Sequence, residues 1–271
     1  MIKQAIIPLA GLGTRLLPLT SVFAKELLPI NGKPGLEYIL EECIEAGIKE
    51  VVFIISKKKM MIKKYFYNDK FYKDIIKKKG DPKIIKEYKK ILKYKKMIKF
   101  VFQDKPLGTG DAVYKTKKFI TDKYFLMLLP DDLIIKKNCS KSMIAVHNKF
   151  KASVMASMKV NKNDVSRWGI YNIKKKIDKN NFIINNVVEK PSIKTSPSNN
   201  AVIGRYILPK SIFSKLKSLK PGKSGEFHIT DAIQALIEDD NLFIGHNFSG
   251  KYLDCGTMKG YIKSTLEISK Q

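Results

Sequence analysis

Ala5-Ile6-Ile7-Pro8-Leu9 empties directly into Ala10-Gly11-Leu12-Gly13-Thr14-Arg15, and this junction constrains the fold more than any other stretch. The apolar run is short and reads as a buried first strand. Without a Cβ, the glycines let the backbone turn tightly and approach a ligand. Successive N–H groups in such a turn form an anion nest. Arg15 adds a planar donor fork suited to phosphate. Ten residues further on, Lys25-Glu26-Leu27-Leu28-Pro29 supplies a second cation. The junction therefore reads as a phosphate-handling loop that sets Arg15 and Lys25 on one anionic substrate. Two better-known glycine loops do not fit. A dinucleotide fingerprint needs a third glycine and an acid after the next strand, but Leu16 stands at the glycine position and Val51–Ile55 runs into Ser56-Lys57-Lys58. A Walker loop needs Gly-Lys-Ser/Thr after four spacers, which is not there.

The rest of the chain alternates strands and helices. Leu36, Ile39, Leu40, Cys43 and Ile44 share one side of a helix predicted over 34–46, and Val51–Ile55 is a second buried strand. Strand, helix, strand implies a right-handed parallel crossover. Residues 57–96 hold seventeen lysines against four acids, and Ile84, Tyr88, Ile91 and Leu92 at helical spacing predict helix with a solvated lysine side. Ile98–Gln103 is a third strand, turning at Pro106-Leu107-Gly108-Thr109-Gly110 into a helix. In open α/β sheets ligands sit beyond the carboxyl ends of strands, which puts Gln103 and Gly108 on the ligand edge. Tyr124–Leu129 is the most apolar strand and ends in Pro130-Asp131-Asp132. A carboxylate there is a hard-oxygen ligand suited to Mg²⁺ beside nucleotide phosphates, with Asp131 favoured over Asp132. Later strands are predicted over 152–160, 182–188 and 201–208, the second ending in Glu189-Lys190-Pro191. Gly204 inside the third implies a close backbone approach.

Gly11-Leu12-Gly13-Thr14-Arg15 with Lys25-Glu26-Leu27-Leu28-Pro29 resembles the signature of sugar-1-phosphate nucleotidyltransferases, and matching motifs continue as far as Gly256. The resemblance implies a Rossmann-like α/β fold: a mixed, mostly parallel central sheet flanked by helices, in one domain over 1–271 with a helical insertion at 57–96. It implies transfer of a uridylyl group from UTP to glucose 1-phosphate. By the motifs, Leu9, Ala10, Gly11, Gly13, Thr14, Gln103 and Gly108 bind the nucleotide. Gly169, Glu189, Lys190 and Gly204 bind the sugar phosphate. Arg15, Lys25, Asp131 and Lys190 carry catalysis, and Asp131 and Asp231 hold Mg²⁺. Asp111 stands where the family often has histidine, with little consequence expected. A homo-oligomer, dimer or tetramer, is also implied. The alternatives are a thymidylyltransferase of the same fold and a non-catalytic polyanion binder.

A net charge of +27 makes the second alternative worth weighing, yet only Arg15, Arg167 and Arg205 are arginine, so 49 of the 52 basic residues are lysine. Phosphate and base-edge recognition usually recruits arginine forks. The charge is therefore expected to attract anionic substrates and bind polyanions weakly, with no specific nucleic acid as partner. No apolar stretch is long enough to span a membrane, and the N-terminus enters a strand without a secretory-signal pattern. Cys43, Cys139 and Cys255 are odd in number and widely spaced, which fits a reducing cytoplasm.

Overall fold

A computed structural model describes residues 1–222 and 225–270. The opening apolar run forms β1 (Gln4–Pro8), buried over its first four residues. A loop of short 3-10 turns leads to β2 (Pro29–Ile30) and β3 (Lys33–Pro34), a small hairpin. α1 (Gly35–Glu45) buries Leu36, Ile39, Leu40 and Cys43, as its spacing predicts. β4 (Glu50–Ile55) then pairs parallel to β1, with α1 between them in sequence, so the two strands are joined by a parallel crossover.

The lysine-rich stretch forms three helices: α2 (Met60–Tyr67), α3 (Asp69–Lys79) and α4 (Pro82–Met97). Gly80, at φ +62, ends α3. Asp81 caps α4 by accepting from the Lys83 N–H, with Pro82 in the first turn. The interleaved tyrosines serve packing. Tyr72 stacks on Tyr88 at 5.1 Å between α3 and α4, and Tyr94 is buried.

β5 (Ile98–Phe102), α5 (Gly108–Tyr114) and β6 (Tyr124–Leu128) follow, then β7 (Asp132–Ile135) and α6 (Cys139–Phe150). β8 (Ser153–Lys159), β9 (Gly169–Lys176), β10 (Asn181–Glu189) and β11 (Asn200–Pro209) complete the middle of the chain. The last elements are α7 (Ile212–Ser218), α8 (Ile229–Glu238), β12 (Phe243–Asn247), β13 (Lys251–Asp254) and α9 (Met258–Ile268).

Among the described residues nine strands form one sheet in the order β5-β4-β1-β6-β11-β8-β12-β10-β9. Only β10 and β11 run against the other seven, so the sheet is mixed and mostly parallel in direction, as expected. Side chains alternate between its faces. Ile7, Phe53, Leu126 and Leu128 join one core cluster, and Ile6, Val52, Ile54, Phe125 and Met127 the other. Because β1, β4, β5 and β6 are parallel, their carboxyl ends share one edge. The loops after Pro8, Phe102 and Leu128 converge there.

Candidate active site

At that edge a cavity of about 460 Å³ is lined by Ala10, Gly11, Gly13, Thr14, Lys25, Gln103, Gly108 and Asp131, with Glu226 and His228 closing one side. The glycine loop wraps it. Gly13 adopts φ +70, and its carbonyl accepts from Thr20 Oγ1 at 2.8 Å. No heavy atom lies within 4 Å of where a Gly11 Cβ would stand, so the backbone is bare toward the cavity. Leu9 is the exception among the expected nucleotide contacts. It lies wholly in the core, because it extends the alternation of β1 and its N–H bonds Ile54 O at 2.7 Å.

The expected charges meet at Asp131. Lys25 Nζ lies 2.6 Å from Asp131 Oδ2, and Arg15 Nη2 lies 3.7 Å from the same oxygen. Burial disfavours the Lys25 ammonium, but Asp131 and then Glu26 outweigh it and hold its pKa above the ordinary value. Burial likewise works against the Asp131 carboxylate, and Lys25 more than compensates, keeping it below the usual range. Arg15 stays largely solvent-exposed.

A buried ion pair supports the Lys25 turn. Lys59 Nζ donates to both oxygens of Glu26 at 2.8 Å. Burial pushes the Glu26 carboxyl up and the Lys59 ammonium down, and each is held against that by the other's charge. Nothing in a run of three lysines marks Lys59 as the buried one; only its place in the turn after β4 does so.

A second device holds Asp131. Arg205 in β11 is wholly buried, and its Nε and Nη2 grip the Glu42 carboxylate of α1. Its remaining donors reach the carbonyls of Leu129 at 3.1 Å, Gly204 at 3.0 Å and Asp132 at 2.6 Å, bracketing the Pro130-Asp131 step. Asp132 is turned inward. Its carboxylate accepts from Gly204 N at 2.8 Å and Tyr252 OH at 2.7 Å. Burial, then the neighbouring Asp131 charge, pushes it up to about 6. The close approach at Gly204 is therefore made by Leu129 and Asp132, against which a Cβ would collide.

The second carboxylate beside Asp131 is Asp254. β13 pairs with β7 so that Asp254 stands opposite Asp132, and Cys255 N donates to Asp131 O at 2.8 Å. A Cβ on Gly256 would lie 2.9 Å from Asp131 Oδ2, 3.1 Å from Arg15 Nη2 and 3.2 Å from Asp254 Oδ1, so both carboxylates and the Arg15 guanidinium border one small space. Asp231 does not join them. It is exposed in the first turn of α8, outside the cavity lining, where an acid favours the positive end of the helix dipole. His228, the residue preceding that helix, faces the cavity instead. The sequence signal for Asp254 was the one used for Asp131: an acid ending a strand.

The expected sugar-phosphate residues do not line the cavity. Gly169 and Glu189 are partners across β9 and β10, and a Gly169 Cβ would lie 3.1 Å from Glu189 Oε2. A bend follows immediately: Lys190 adopts φ +46 and donates its N–H to Trp168 O at 2.9 Å. Both charged side chains remain exposed, 3.6 Å apart. Trp168 packs edge-on against Tyr252 at 5.5 Å, tying this group to Asp132. Gly108, at φ +92, and Gly110 admit the Phe227 backbone of the segment before α8, with Gly110 N donating to Phe227 O at 2.7 Å.

A family model described as nucleotidyl transferase matches residues 4–271. The chain belongs to that family. It is 36% identical over 269 residues to "UTP--glucose-1-phosphate uridylyltransferase 2" of Staphylococcus saprophyticus, covering 99% of this chain and 92% of the relative. It is 35% identical over 271 residues to "UTP--glucose-1-phosphate uridylyltransferase" of Bacillus subtilis, covering 100% and 92%. A UDP-glucose pyrophosphorylase solved with UDP-glucose is 34% identical, with TM-score 0.87 over 100% of this chain and 99% of that one. A UTP-bound enzyme of Acinetobacter baumannii is 30% identical, with TM-score 0.89 over 99% and 93%. Among the described residues no helix is long and apolar enough to cross a membrane.

Proposed function

We propose that this chain transfers the uridylyl group of UTP to glucose 1-phosphate, giving UDP-glucose and pyrophosphate. The observation that carries the reading is the meeting of Arg15, Lys25 and Asp131 at the mouth of a bare-backbone cavity, in a chain similar over its whole length to uridylyltransferases. In the reaction a phosphate oxygen of the sugar phosphate forms a bond to the α-phosphorus. The α–β anhydride bond breaks, and pyrophosphate leaves with its electron pair. Two polyanions must meet, so positioning and charge neutralisation carry catalysis. Lys25 holds nucleotide phosphates. Exposed Arg15 folds onto the departing pyrophosphate and offsets developing charge. Lys190 orients the attacking phosphate, and Glu189 takes sugar hydroxyls across the bare Gly169. The loop backbone from Ala10 to Thr14 and the Gln103 amide receive the nucleotide.

The donor set fits Mg²⁺. Asp131 and Asp254 offer hard carboxylate oxygens around one small space, which the exposed Arg15 guanidinium would vacate on turning to a phosphate, and phosphate oxygens and water would complete the ion's shell. Bound there, the ion would neutralise phosphate charge and polarise the α-phosphoryl group.

Pyrophosphate release from glucose 1-phosphate with UTP, dTTP, ATP, CTP and GTP, with and without Mg²⁺, tests the reading. Release with UTP that disappears on metal removal is expected. A preference for dTTP would move the chain to thymidylyl transfer. Silence with every nucleotide in a folded sample would refute nucleotidyl transfer to this sugar.

A further inference from the structure

Gln103 lines the cavity and is almost wholly buried. Its Nε2 donates to Gly108 O at 3.0 Å and to Asp111 Oδ2 at 2.8 Å. A backbone carbonyl and a carboxylate can only accept, so the amide nitrogen must face them. Both of its hydrogens are thereby used. The amide oxygen makes no hydrogen bond among the described residues and is left open on a cavity-lining side chain. A flipped amide would set that oxygen against two other oxygens, one of them charged.

Asp111 itself lies in the first turn of α5, outside the cavity lining, with its other oxygen 3.8 Å from Lys115 Nζ. We propose that Asp111 is a positioning residue for base selection: it locks the Gln103 amide with its oxygen toward the base. The site then accepts a pyrimidine that offers an N–H at ring position 3, as uracil and thymine do. It rejects cytosine, which presents a lone pair there and would face oxygen against nitrogen with no proton between them. Discrimination of this kind is effective because a mismatch leaves buried polar groups unpaired. The inference rests on reading the cavity as the nucleotide site, and it assigns no contact between Asp111 and the ligand.

Calorimetric titration with UTP and with CTP tests it directly, on the wild type, Asp111→Asn and Asp111→Leu. The wild type is expected to prefer UTP. Asparagine can donate to a flipped Gln103 oxygen, and leucine offers no charged acceptor. Both variants should narrow the UTP-over-CTP ratio by about tenfold, the worth of one charge-assisted hydrogen bond. On a Gln103→Ala background the Asp111 substitutions should leave the ratio where it is, since their effect runs through the amide. Equal wild-type affinity for the two nucleotides would overturn the proposal. So would an unchanged ratio in both variants, or an equal narrowing without Gln103. Turnover with UTP and glucose 1-phosphate is measured alongside. A wild type that prefers UTP in binding but releases no pyrophosphate refutes the proposed reaction and leaves base selection standing.

Discussion

Replacing Arg205 by methionine should be among the most damaging single changes outside the cavity. Its side chain is 0% exposed and that of Glu42 only 7%. Methionine fills similar space but removes the cation, so Glu42 is left charged in the interior with, among the described residues, Ser140 N and Oγ as its remaining donors. The Leu129 and Asp132 carbonyls also lose the guanidinium. Removing one partner of a buried pair costs about 3–5 kcal/mol, and an orphaned buried carbonyl about 1–3 kcal/mol more. Against a typical total of about 5–15 kcal/mol, Arg205→Met should forfeit a large share of the stability. Urea unfolding followed by Trp168 fluorescence and circular dichroism measures this, with an unchanged slope expected. Adding Glu42→Gln removes the stranded charge and should recover about half of the loss, because replacing a pair costs less than breaking it. The Asp131 turn would still lack its clamp, so kcat in the double variant should remain about 10- to 100-fold down, the scale of a 1 Å misplacement. A single variant within about 1 kcal/mol of wild type would refute the energetic reasoning. A double variant with full kcat would show that the turn needs no clamp.

Two further expectations rest on other parts of the molecule. Lys190→Ala should raise the KM for glucose 1-phosphate about tenfold while moving stability by no more than about 0.5 kcal/mol, since the side chain is 65% exposed; unchanged kinetics would remove Lys190 from the site. His147 and His246 are buried, and burial holds both imidazoles below the ordinary 6.5. As pH falls through 6.5 the unfolded chain takes up protons that the folded chain resists, so their contribution is full above that pH and declines below it. Asp132, pushed up to about 6, contributes in the opposite sense. Between pH 8 and pH 6 the unfolding free energy should therefore fall less, or rise more, in His147→Gln/His246→Gln than in the wild type, and the same signed change in both would rule out the imidazoles as the cause.

Local pattern carried much of the fold. Apolar runs marked β1, β4, β5 and β6, and a glycine junction followed the first of them. Parallel pairing of neighbouring strands then brought Gln103 and Asp131, just beyond the ends of β5 and β6, to one edge, and the long loop after β1 carries Arg15 and Lys25 back to it. Periodicity was less informative where a segment is interrupted. The lysine-rich stretch has helical spacing throughout, yet Asn68, Gly80 and Asp81 divide it.

By itself, then, the sequence determined the strand–helix alternation, the glycine loop after β1 and the acid just beyond β6, all properties of residues close together along the chain. Tertiary structure alone decided which distant charges became partners. Arg205 meets Glu42 across 163 positions because β11 is inserted beside β6, over α1. Asp254 reaches Asp131 because β13 pairs with β7, whereas Asp231, in a sequence context just as suggestive, stays on an exposed helix turn. A buried charge must find its counter-charge wherever the sheet order places one, and sheet order is not written in any local spacing.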